Sequence, residues 1–323
     1  MHGKIVVGST MLMLITVMIT GMVSIHSPRV NDEALVELGR HLFYDPILSL
    51  DSTTSCASCH QQFSAFAHID HALSHGVDGR IGRRNVPALQ NLVNQPAFMW
   101  DGAIENLHMQ ALSPLTGNEE MGETLPNILV KLQTSRAYPS MFRRAFDDSV
   151  ITIPHILQAI GSFCSSLVSV SSQYDRYVNG SDTFAMNEVR GLKLFREKCA
   201  TCHAEPLLTN NTFRSNGLHV DSALQDTGRI RITFDEADRY RFKVPSLRNI
   251  AVTHPYMHDG RFKRLRDVLL HYGTPGGIAD HADPLVRSIG VLRDDERKDL
   301  IAFLLTLTDE SFLKNPKFAD PSR

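Results

Sequence analysis

The pentapeptide CxxCH occurs twice in this chain of 323 residues, at residues 56–60 and again at residues 199–203. In such a motif the two thiols attach covalently to a c-type haem, and the histidine that follows directly binds the haem iron from one side. Two CxxC knuckles can also hold a zinc ion, but zinc bound by four cysteines has no need of a histidine after each knuckle. The two motifs therefore favour two covalently bound haem c groups. The predicted attachment residues and iron ligands are Cys56, Cys59, His60, Cys199, Cys202 and His203.

The overall composition is compatible with this interpretation and excludes one class of partner. A hydrophobic share of 42% supplies enough apolar surface for a core in each half, and a net charge of -2 gives no basic excess that would favour nucleic acid. The fifth cysteine, Cys164, lies in an apolar stretch from Ile156 to Leu167. We expect it to be a buried thiol on a helix face rather than a reactive one.

The N-terminal residues have the pattern of an export signal. Lys4 precedes an uncharged apolar run from Ile5 to Val23, which is typical of such signals. No small-x-small cleavage site is found between Gly21 and Ser27, and the run is about long enough to cross a bilayer. Residues 1–27 are therefore predicted to be either a cleaved signal peptide or an N-terminal membrane anchor.

A weak internal repeat precedes the two haem motifs and predicts the fold class. GRHLF stands at residues 39–43 and GLKLF at residues 191–195, each within a helical apolar pattern. In the first of these helices Asn31 or Asp32 is the candidate cap and Pro46 the end; Asn187 is the candidate cap of the second, which runs to about residue 198. Apolar spacing predicts further helices at Leu125–Thr134, Ala137–Phe146, Pro154–Val170, Leu265–Tyr272 and Asp295–Leu307.

Strand patterns are nearly absent, so the predicted class is mainly α, with two cytochrome c-like haem domains packed around an interdomain interface. The most linker-like composition lies between Tyr177 and Ala185. We therefore predict a first haem domain at residues 28–180 and a second at residues 181–323.

Three further stretches resemble one family. They are SHGVDGRIGRRNVP at 74–87, FMWDGAIENLHMQALSP at 98–114 with EEMG after it, and VPSLRNIAVTHPYMHDGRF at 244–262. The chain resembles the bacterial dihaem cytochrome c peroxidases and their relatives, the methylamine-utilisation dihaem oxidases called MauG, from about Leu38 to Leu307. The resemblance implies a periplasmic enzyme that reduces hydrogen peroxide at the first haem. Electrons would come from a small cytochrome c or a cupredoxin and enter at the second haem.

For catalysis, the resemblance points to two residues beside the first haem. Glu120 would act as acid and base on peroxide, and Gln110 would be its hydrogen-bonding neighbour. Glu119 adjoins Glu120, and only the register with the family separates the two.

A histidine loop follows the first haem motif. In the family a histidine in a similar loop covers the first haem at rest and moves away on reduction, which makes His75 the candidate gating ligand. The loop is two residues longer before Asn85 than in the simplest peroxidase pattern, and a surface loop histidine is the alternative. His68 and His71 are expected to be mainly solvated.

The second haem needs a ligand on its other side. The residues alone offer Met257, His258, His271 and Tyr272. Chemistry favours Met257, because methionine opposite histidine raises the haem potential. The register with the family instead gives Tyr272, a position at which the similar peroxidases have methionine and MauG has tyrosine.

The resemblance also assigns residues between the haems. Trp100, the only tryptophan in the chain, would carry electrons or holes between them. Asn85, Thr253 and Pro255 match an interhaem calcium site formed by one side-chain oxygen and two backbone carbonyls.

One difference from MauG is an absence. MauG passes holes to a protein substrate through a surface tryptophan before its second haem motif, and here residues 195–198 read FREK. The sequence favours a peroxidase. A MauG-like oxidase that modifies a protein and a non-catalytic dihaem electron carrier stay open, as do a monomer and a homodimer.

Overall fold

The computed structural model describes residues 33–147 and 149–322, which are almost entirely helices and connecting loops. The only strands in these ranges are β1 (Phe213–Arg214) and β2 (Phe242–Lys243), which pair antiparallel. The predicted mainly α class is confirmed. The helices are α1 (Glu33–Tyr44), α2 (Cys56–Cys59), α3 (Leu107–Gln110), α4 (Leu112–Thr116), α5 (Leu125–Thr134), α6 (Tyr138–Phe146), α7 (Ile153–Ser166), α8 (Gln173–Val178), α9 (Met186–Lys198), α10 (Ile230–Thr233), α11 (Leu265–Gly273), α12 (Pro284–Arg287), α13 (Asp294–Leu305) and α14 (Glu310–Leu313).

Helix boundaries follow local capping chemistry where a cap is present. The Thr124 hydroxyl accepts from the Asn127 N–H at the start of α5, and the Thr152 hydroxyl does the same for His155 at the start of α7. Each of these helices carries a proline in its first turn, where no backbone donor is lost. The prediction for α5 is confirmed at both ends.

Other boundaries differ from the prediction. Helix α7 ends at Ser166 rather than residue 170, and α13 runs from 294 to 305 rather than from 295 to 307. Asn187 is not the cap of α9, which begins at Met186 after Ala185. Apolar residues continue past the last helical hydrogen bond of α7 and of α13, so the apolar pattern placed these two C-terminal ends too late.

The internal repeat corresponds to the same helix crossing in both halves. In the first half α1 crosses α7, and a Cβ atom at Gly39 would overlap the Ala159 carbonyl oxygen and lie 2.9 Å from Phe163 Cβ. In the second half α9 crosses α13, and a Cβ atom at Gly191 would overlap the carbonyl of Asp299. The glycines let two backbones approach, and each crossing supports the haem motif that follows.

The C-terminal residues return to the first half. Phe312, Leu313 and Phe318 are buried in the same core as α1 and α7. The Tyr44 hydroxyl donates to the Phe318 carbonyl oxygen over 2.7 Å. The domain boundary near residue 180 stays a prediction, but the last segment of the predicted second domain packs in the core of the first.

The two halves meet through buried ion pairs. Arg84, from the first half, lies 2.6 Å from a carboxylate oxygen of Asp226 in the second half and 2.6 Å from one of Asp101. The Lys243 backbone N–H donates to the Trp100 carbonyl oxygen over 2.7 Å. These contacts join two parts of the second half, the segment that contains Asp226 and strand β2, to the loop that contains Trp100.

The predicted signal peptide or anchor at residues 1–27 lies outside the described residues. Among the helices that are described, none is both long and apolar enough to span a bilayer.

Candidate haem sites and active site

The histidines of both CxxCH motifs are partly buried, and each has a hydrogen bond that orients its ring as an iron ligand requires. His60 Nδ1 lies 2.6 Å from the Phe66 carbonyl oxygen, and His203 Nδ1 lies 3.2 Å from that of Leu208 and 3.1 Å from that of Pro245. Donation from Nδ1–H to a carbonyl leaves Nε2 unprotonated and free to bind a metal. Burial lowers the pKa of each histidine to about 4. Both side chains therefore fit a haem iron.

The four motif cysteines are free thiols, and they do not come together as a zinc site. Within residues 33–147 and 149–322, no three histidine, cysteine or acidic side chains are arranged to hold a metal ion. Burial raises the pKa of Cys56 and that of Cys199 to about 12. The structure thus separates the two knuckles, as two haem sites require. Cys164 is buried, as predicted, and burial raises the pKa of its thiol.

Glu120 lies close to the first haem motif. Burial raises the pKa of its carboxyl, and the charge of Glu119 raises it further. In turn the Glu120 charge adds to the raised pKa of both Cys56 and Cys59, so the three groups lie within electrostatic reach of one another. Glu119 is exposed and Glu120 is half-buried. The geometry thus favours Glu120 over its neighbour as a group that acts in the pocket.

The backbone holds Glu120 in place through the histidine loop. The Val77 N–H donates to the Glu120 carbonyl oxygen over 2.8 Å, and a Cβ atom at Gly76 would overlap that carbonyl. Only glycine allows this approach. Gln110, at the end of α3, donates instead to Met99 Sδ over 3.5 Å and not to Glu120.

The three histidines after the first motif form a row. The ring centroids of His68 and His71 lie 5.3 Å apart, and those of His71 and His75 lie 4.0 Å apart and stacked. The expectation that His68 is solvated is wrong: it is 6% exposed, because its ring packs under the loop. His71 is exposed, as predicted. The His75 carbonyl accepts from Cys59 Sγ over 3.4 Å, which places this loop against the haem motif, while a gating role for its ring stays a prediction.

Tyr272 lies near the second haem motif, and Met257 shares a neighbour with it, Asn216. Burial raises the pKa of Tyr272, a hydrogen bond with the Asn216 side chain lowers it, and the thiols of the second motif raise it again. Asn216 Nδ2 also lies 3.3 Å from Met257 Sδ. The charge interaction with these thiols indicates that the Tyr272 hydroxyl lies near the second CxxCH motif.

A small cleft beside Asn216 is lined in part by that residue, Phe242 and His258. The His258 ring stacks on Phe242 with centroids 3.8 Å apart, and its Nδ1 is buried without a hydrogen-bond partner in the part of the chain that is described. His281 Nε2, on the same cleft, is also unpartnered there. A buried nitrogen without a protein partner is commonly satisfied by water or by a bound polar group.

A chain of hydrogen bonds connects the two halves through Trp100. The indole N–H donates to the Asn85 carbonyl oxygen over 2.8 Å. The Asn85 backbone N–H in turn donates to the His258 carbonyl oxygen over 2.7 Å. Trp100 therefore lies where the two halves meet, one residue away from the segment that contains His258.

The predicted calcium ligands come from neighbouring segments. Asn85 is buried, and its Nδ2 donates to the Ala72 carbonyl over 2.9 Å, which turns its Oδ1 to the other side. The hydrogen bond from the Asn85 N–H to the His258 carbonyl oxygen holds Asn85 beside the segment that also contains Thr253 and Pro255. Calcium itself stays a prediction.

Sequence reasoning missed Asn216 and the pairing of Arg84 with Asp226. Asn216 is a single asparagine in a loop, without a repeat or a motif of metal ligands around it. Arg84 lies in the stretch at residues 74–87 that resembles the family, but its partner Asp226 lies far along the chain. Neither position gave a local signal.

Two CxxCH motifs, each with a partly buried neutral histidine in its own helical half, define a dihaem protein of the cytochrome c type. Residues 33–183 match the family model described as di-haem cytochrome c peroxidase, and residues 188–308 match that of cytochrome c. The chain is 35% identical to the methylamine utilization protein MauG of Methylorubrum extorquens over 85% of its own length and 78% of that protein. It is 32% identical to the cytochrome c551 peroxidase of Nitrosomonas europaea, over 85% and 80% of the two chains.

A solved structure extends the likeness to three dimensions. A MauG-like protein associated with microbial copper homeostasis is 33% identical, with a TM-score of 0.84 over 90% of this chain and 94% of that one. The chain belongs to the family of dihaem cytochrome c peroxidases and MauG proteins, whose members are oxidoreductases with two haem c groups.

Proposed function

We propose that this protein reduces hydrogen peroxide to water at the first haem, with electrons that a small cytochrome c or a cupredoxin delivers to the second haem. The observation that carries the proposal is the position of Glu120, a partly buried carboxyl with a raised pKa beside the first CxxCH motif. Each peroxide consumes two electrons and two protons and yields two water molecules. The bound haem supplies the redox chemistry, and the chain supplies the proton transfer.

Glu120 moves a proton between the two peroxide oxygens. In its charged form the carboxylate accepts the proton of one oxygen, and it then donates that proton to the oxygen that leaves as water. Its raised pKa brings the two forms closer in free energy near neutral pH, which favours a group that acts both as base and as acid. Gln110 orients the peroxide by hydrogen bonding.

Electrons cross from the second haem to the first by way of Trp100. The hydrogen bonds from its indole to Asn85, and from Asn85 to His258, support this route. Together with His203, Tyr272 would hold the iron of the second haem, which its position near the second-motif thiols supports. A phenolate ligand favours oxidised iron.

Asn85 Oδ1 and the carbonyl oxygens of Thr253 and Pro255 would hold a calcium ion between the halves, since all three are hard oxygen donors, and the ion would fix this arrangement. The enzyme works in the periplasm, to which residues 1–27 direct it, and the covalent attachment of its haems accords with export.

A MauG-like oxidase that modifies a protein is the second candidate. The position of Tyr272 favours it, because MauG carries tyrosine there, and the identity of 35% to one MauG is in line with it. The absence of tryptophan from residues 195–198 opposes the same protein substrate. A non-catalytic carrier would leave Glu120 without a role.

The test is steady-state peroxide turnover by the haem-loaded protein with several reduced small cytochromes and a cupredoxin. Glu120→Gln is expected to lower turnover by about a hundredfold, the scale of lost acid and base catalysis, while the haem content stays at two. Glu119→Gln is the matched control and should keep turnover near that of the wild type. An unchanged rate in Glu120→Gln would remove Glu120 from the mechanism, and no reaction of the wild type with peroxide would favour a carrier.

A further inference from the structure

Arg248 is a large charged side chain that is almost completely buried and has no role in the proposed reaction so far. It is 1% exposed. Its Nη1 and Nη2 atoms donate to the two carboxylate oxygens of Asp175, each over 2.8 Å. A buried guanidinium is costly unless it is paired and hydrogen-bonded. The pairing with Asp175 meets this need but uses only part of the donors that an arginine offers.

The other donors of Arg248 reach the segment that follows the second haem motif. There the carbonyl oxygens of residues 206, 207 and 208 are each bound by one residue of the segment 246–248. The bonds run from Arg248 Nε and Nη2 to Pro206 O (3.2 and 2.7 Å), from Ser246 Oγ to Leu207 O (2.7 Å) and from the Leu247 N–H to Leu208 O (3.2 Å). Two short segments are thus fastened to each other along three consecutive peptides.

These two segments also supply the oxygens beside His203. Its Nδ1 atom lies 3.2 Å from the carbonyl oxygen of Leu208 and 3.1 Å from that of Pro245. Leu208 belongs to one fastened segment, and Pro245 directly precedes the other. Groups on the far side of a metal-binding histidine orient its ring and affect how strongly it binds the metal. The direction of the His203 ring therefore depends on how the two segments are held together.

We propose that Arg248 is a positioning residue for the second haem: paired with Asp175, it holds residues 206–208 against residues 245–248, so that two carbonyl oxygens fix the ring of His203. Asp175 ties the pair to a helix, because its carboxylate also accepts from the Ser172 N–H and hydroxyl at the start of α8, over 2.9 and 2.7 Å. The inference rests on iron ligation by His203. It goes beyond the peroxide reaction, since it applies to any function in which the second haem carries electrons.

The effect expected of Arg248 is one of position and not of charge. The opposite charges of Arg248 and Asp175 largely cancel at a distance, so the pair exerts little net field on the haem. Lysine would keep the positive charge, but it lacks the planar fork that binds Asp175 and Pro206 at the same time. Arg248→Lys therefore separates the two effects.

The test uses the full-length haem-loaded protein with Arg248→Lys and, separately, with Ser246→Ala, which removes the bond to Leu207 O without changing any charge. Electron paramagnetic resonance of the oxidised protein reports the orientation of the iron ligands, and a spectroelectrochemical titration reports the potential of the second haem. Each variant should shift the g-values of the second haem and raise its potential, because a histidine held less firmly from behind stabilises oxidised iron less. The spectrum of the first haem should stay as in the wild type.

The chain offers a matched control for each change within the second half. Arg190 forms a two-bond pair with Asp299, and Ser288 Oγ donates to the Leu285 carbonyl oxygen over 2.8 Å, in bonds that involve neither fastened segment. Arg190→Lys and Ser288→Ala should therefore keep the g-values and the potential of the wild type.

Unchanged g-values and an unchanged potential in both Arg248→Lys and Ser246→Ala, with two haems bound, would overturn the inference. Should Arg248→Lys fail to take up haem, Ser246→Ala decides alone. A second haem that is unaltered in His203→Ala would refute the ligand assignment and the inference with it. Peroxide turnover is measured on the same samples: a wild type that does not react with peroxide would refute the proposed reaction, whereas the shift in potential would still support the role of Arg248.

Discussion

Replacing the glycine at each helix crossing tests whether the repeated crossing supports the two haem sites. In Gly191→Ala, the new methyl group overlaps the Asp299 carbonyl oxygen and lies 2.8 Å from Phe303 Cβ. Asp299 O is a backbone atom within α13, so relief requires the helices to separate. Overpacking of this kind costs about 1–3 kcal/mol, and the upper part of that range applies because no flexible side chain can move aside.

The opposing effect is smaller. Alanine is favoured over glycine within a helix by about 0.5–1 kcal/mol. The net loss of stability is therefore about 1–2 kcal/mol. For a folding unit of this size, that corresponds to a fall in melting temperature of about 2–8 °C. Gly39→Ala in α1 should behave in the same way, because its new methyl overlaps the Ala159 carbonyl oxygen of α7.

The assay is thermal unfolding of the haem-loaded protein, followed by circular dichroism and by the haem absorption. Gly39→Ala should disturb the first haem and Gly191→Ala the second, since α1 and α9 each precede one motif. Asn187→Ala, at an exposed position of α9, adds the helix preference without the overlap and should not lower the melting temperature. A glycine variant as stable as the wild type would show that the crossing helices can accommodate a methyl group, and the reasoning would then be wrong.

Three other predictions concern the cofactors, the carboxyl and the interface. Two haems per chain should survive acid-acetone extraction and give a c-type pyridine haemochrome. His60→Ala should alter the spectrum of one haem only. A chain that binds one haem, or no haem and a zinc ion, would contradict the assignment. Because the charge of Glu119 raises the pKa of Glu120, Glu119→Gln should move the acid limb of peroxide turnover to lower pH, and an unmoved limb in the pH–rate profile would separate the two groups. Burial raises the pKa of Asp226, but the hydrogen bonds and charge of Arg84 outweigh burial, so the net effect is a lowered pKa. The pair therefore stabilises the fold at pH values above the ordinary pKa range of aspartate, and this contribution is lost as the pH falls below about 4. Arg84→Ala should cost about 3–5 kcal/mol at neutral pH, with a smaller difference from the wild type in acid unfolding experiments; a pH-independent difference would exclude the pair as its cause.

The sequence was sufficient for features whose signal is local. The haem motifs are contiguous, the helix in front of each follows apolar spacing, and α5 begins at a threonine cap that can be recognised from its neighbours. The buried neutral state of His60 is also expected once the motif is known, because an iron ligand must keep one nitrogen unprotonated.

What the sequence could not predict depends on contacts between distant residues. Arg84 and Asp226 are both charged residues in loops, and only the fold shows that they form a buried pair. His68 looked like one of several loop histidines, yet the loop folds over it. Asn216 has no distinguishing neighbours, and only the fold shows that its side chain contacts Met257 and Leu218 while its backbone carbonyl contacts His271. Periodicity and motifs do not encode such pairings.

The return of the C-terminal residues to the first core has a consequence for the order of assembly during synthesis. Phe312 packs edge-on against Phe66 with ring centroids 5.9 Å apart, and the Phe66 carbonyl is the group that orients His60. The predicted ligand of the first haem is therefore supported by residues that are synthesised after both haem motifs. The first half can therefore finish folding only after residues 312–318 have been synthesised. Truncation shortly before residue 310 would damage the first haem site more than the second, although the second lies nearer to the truncation in the sequence.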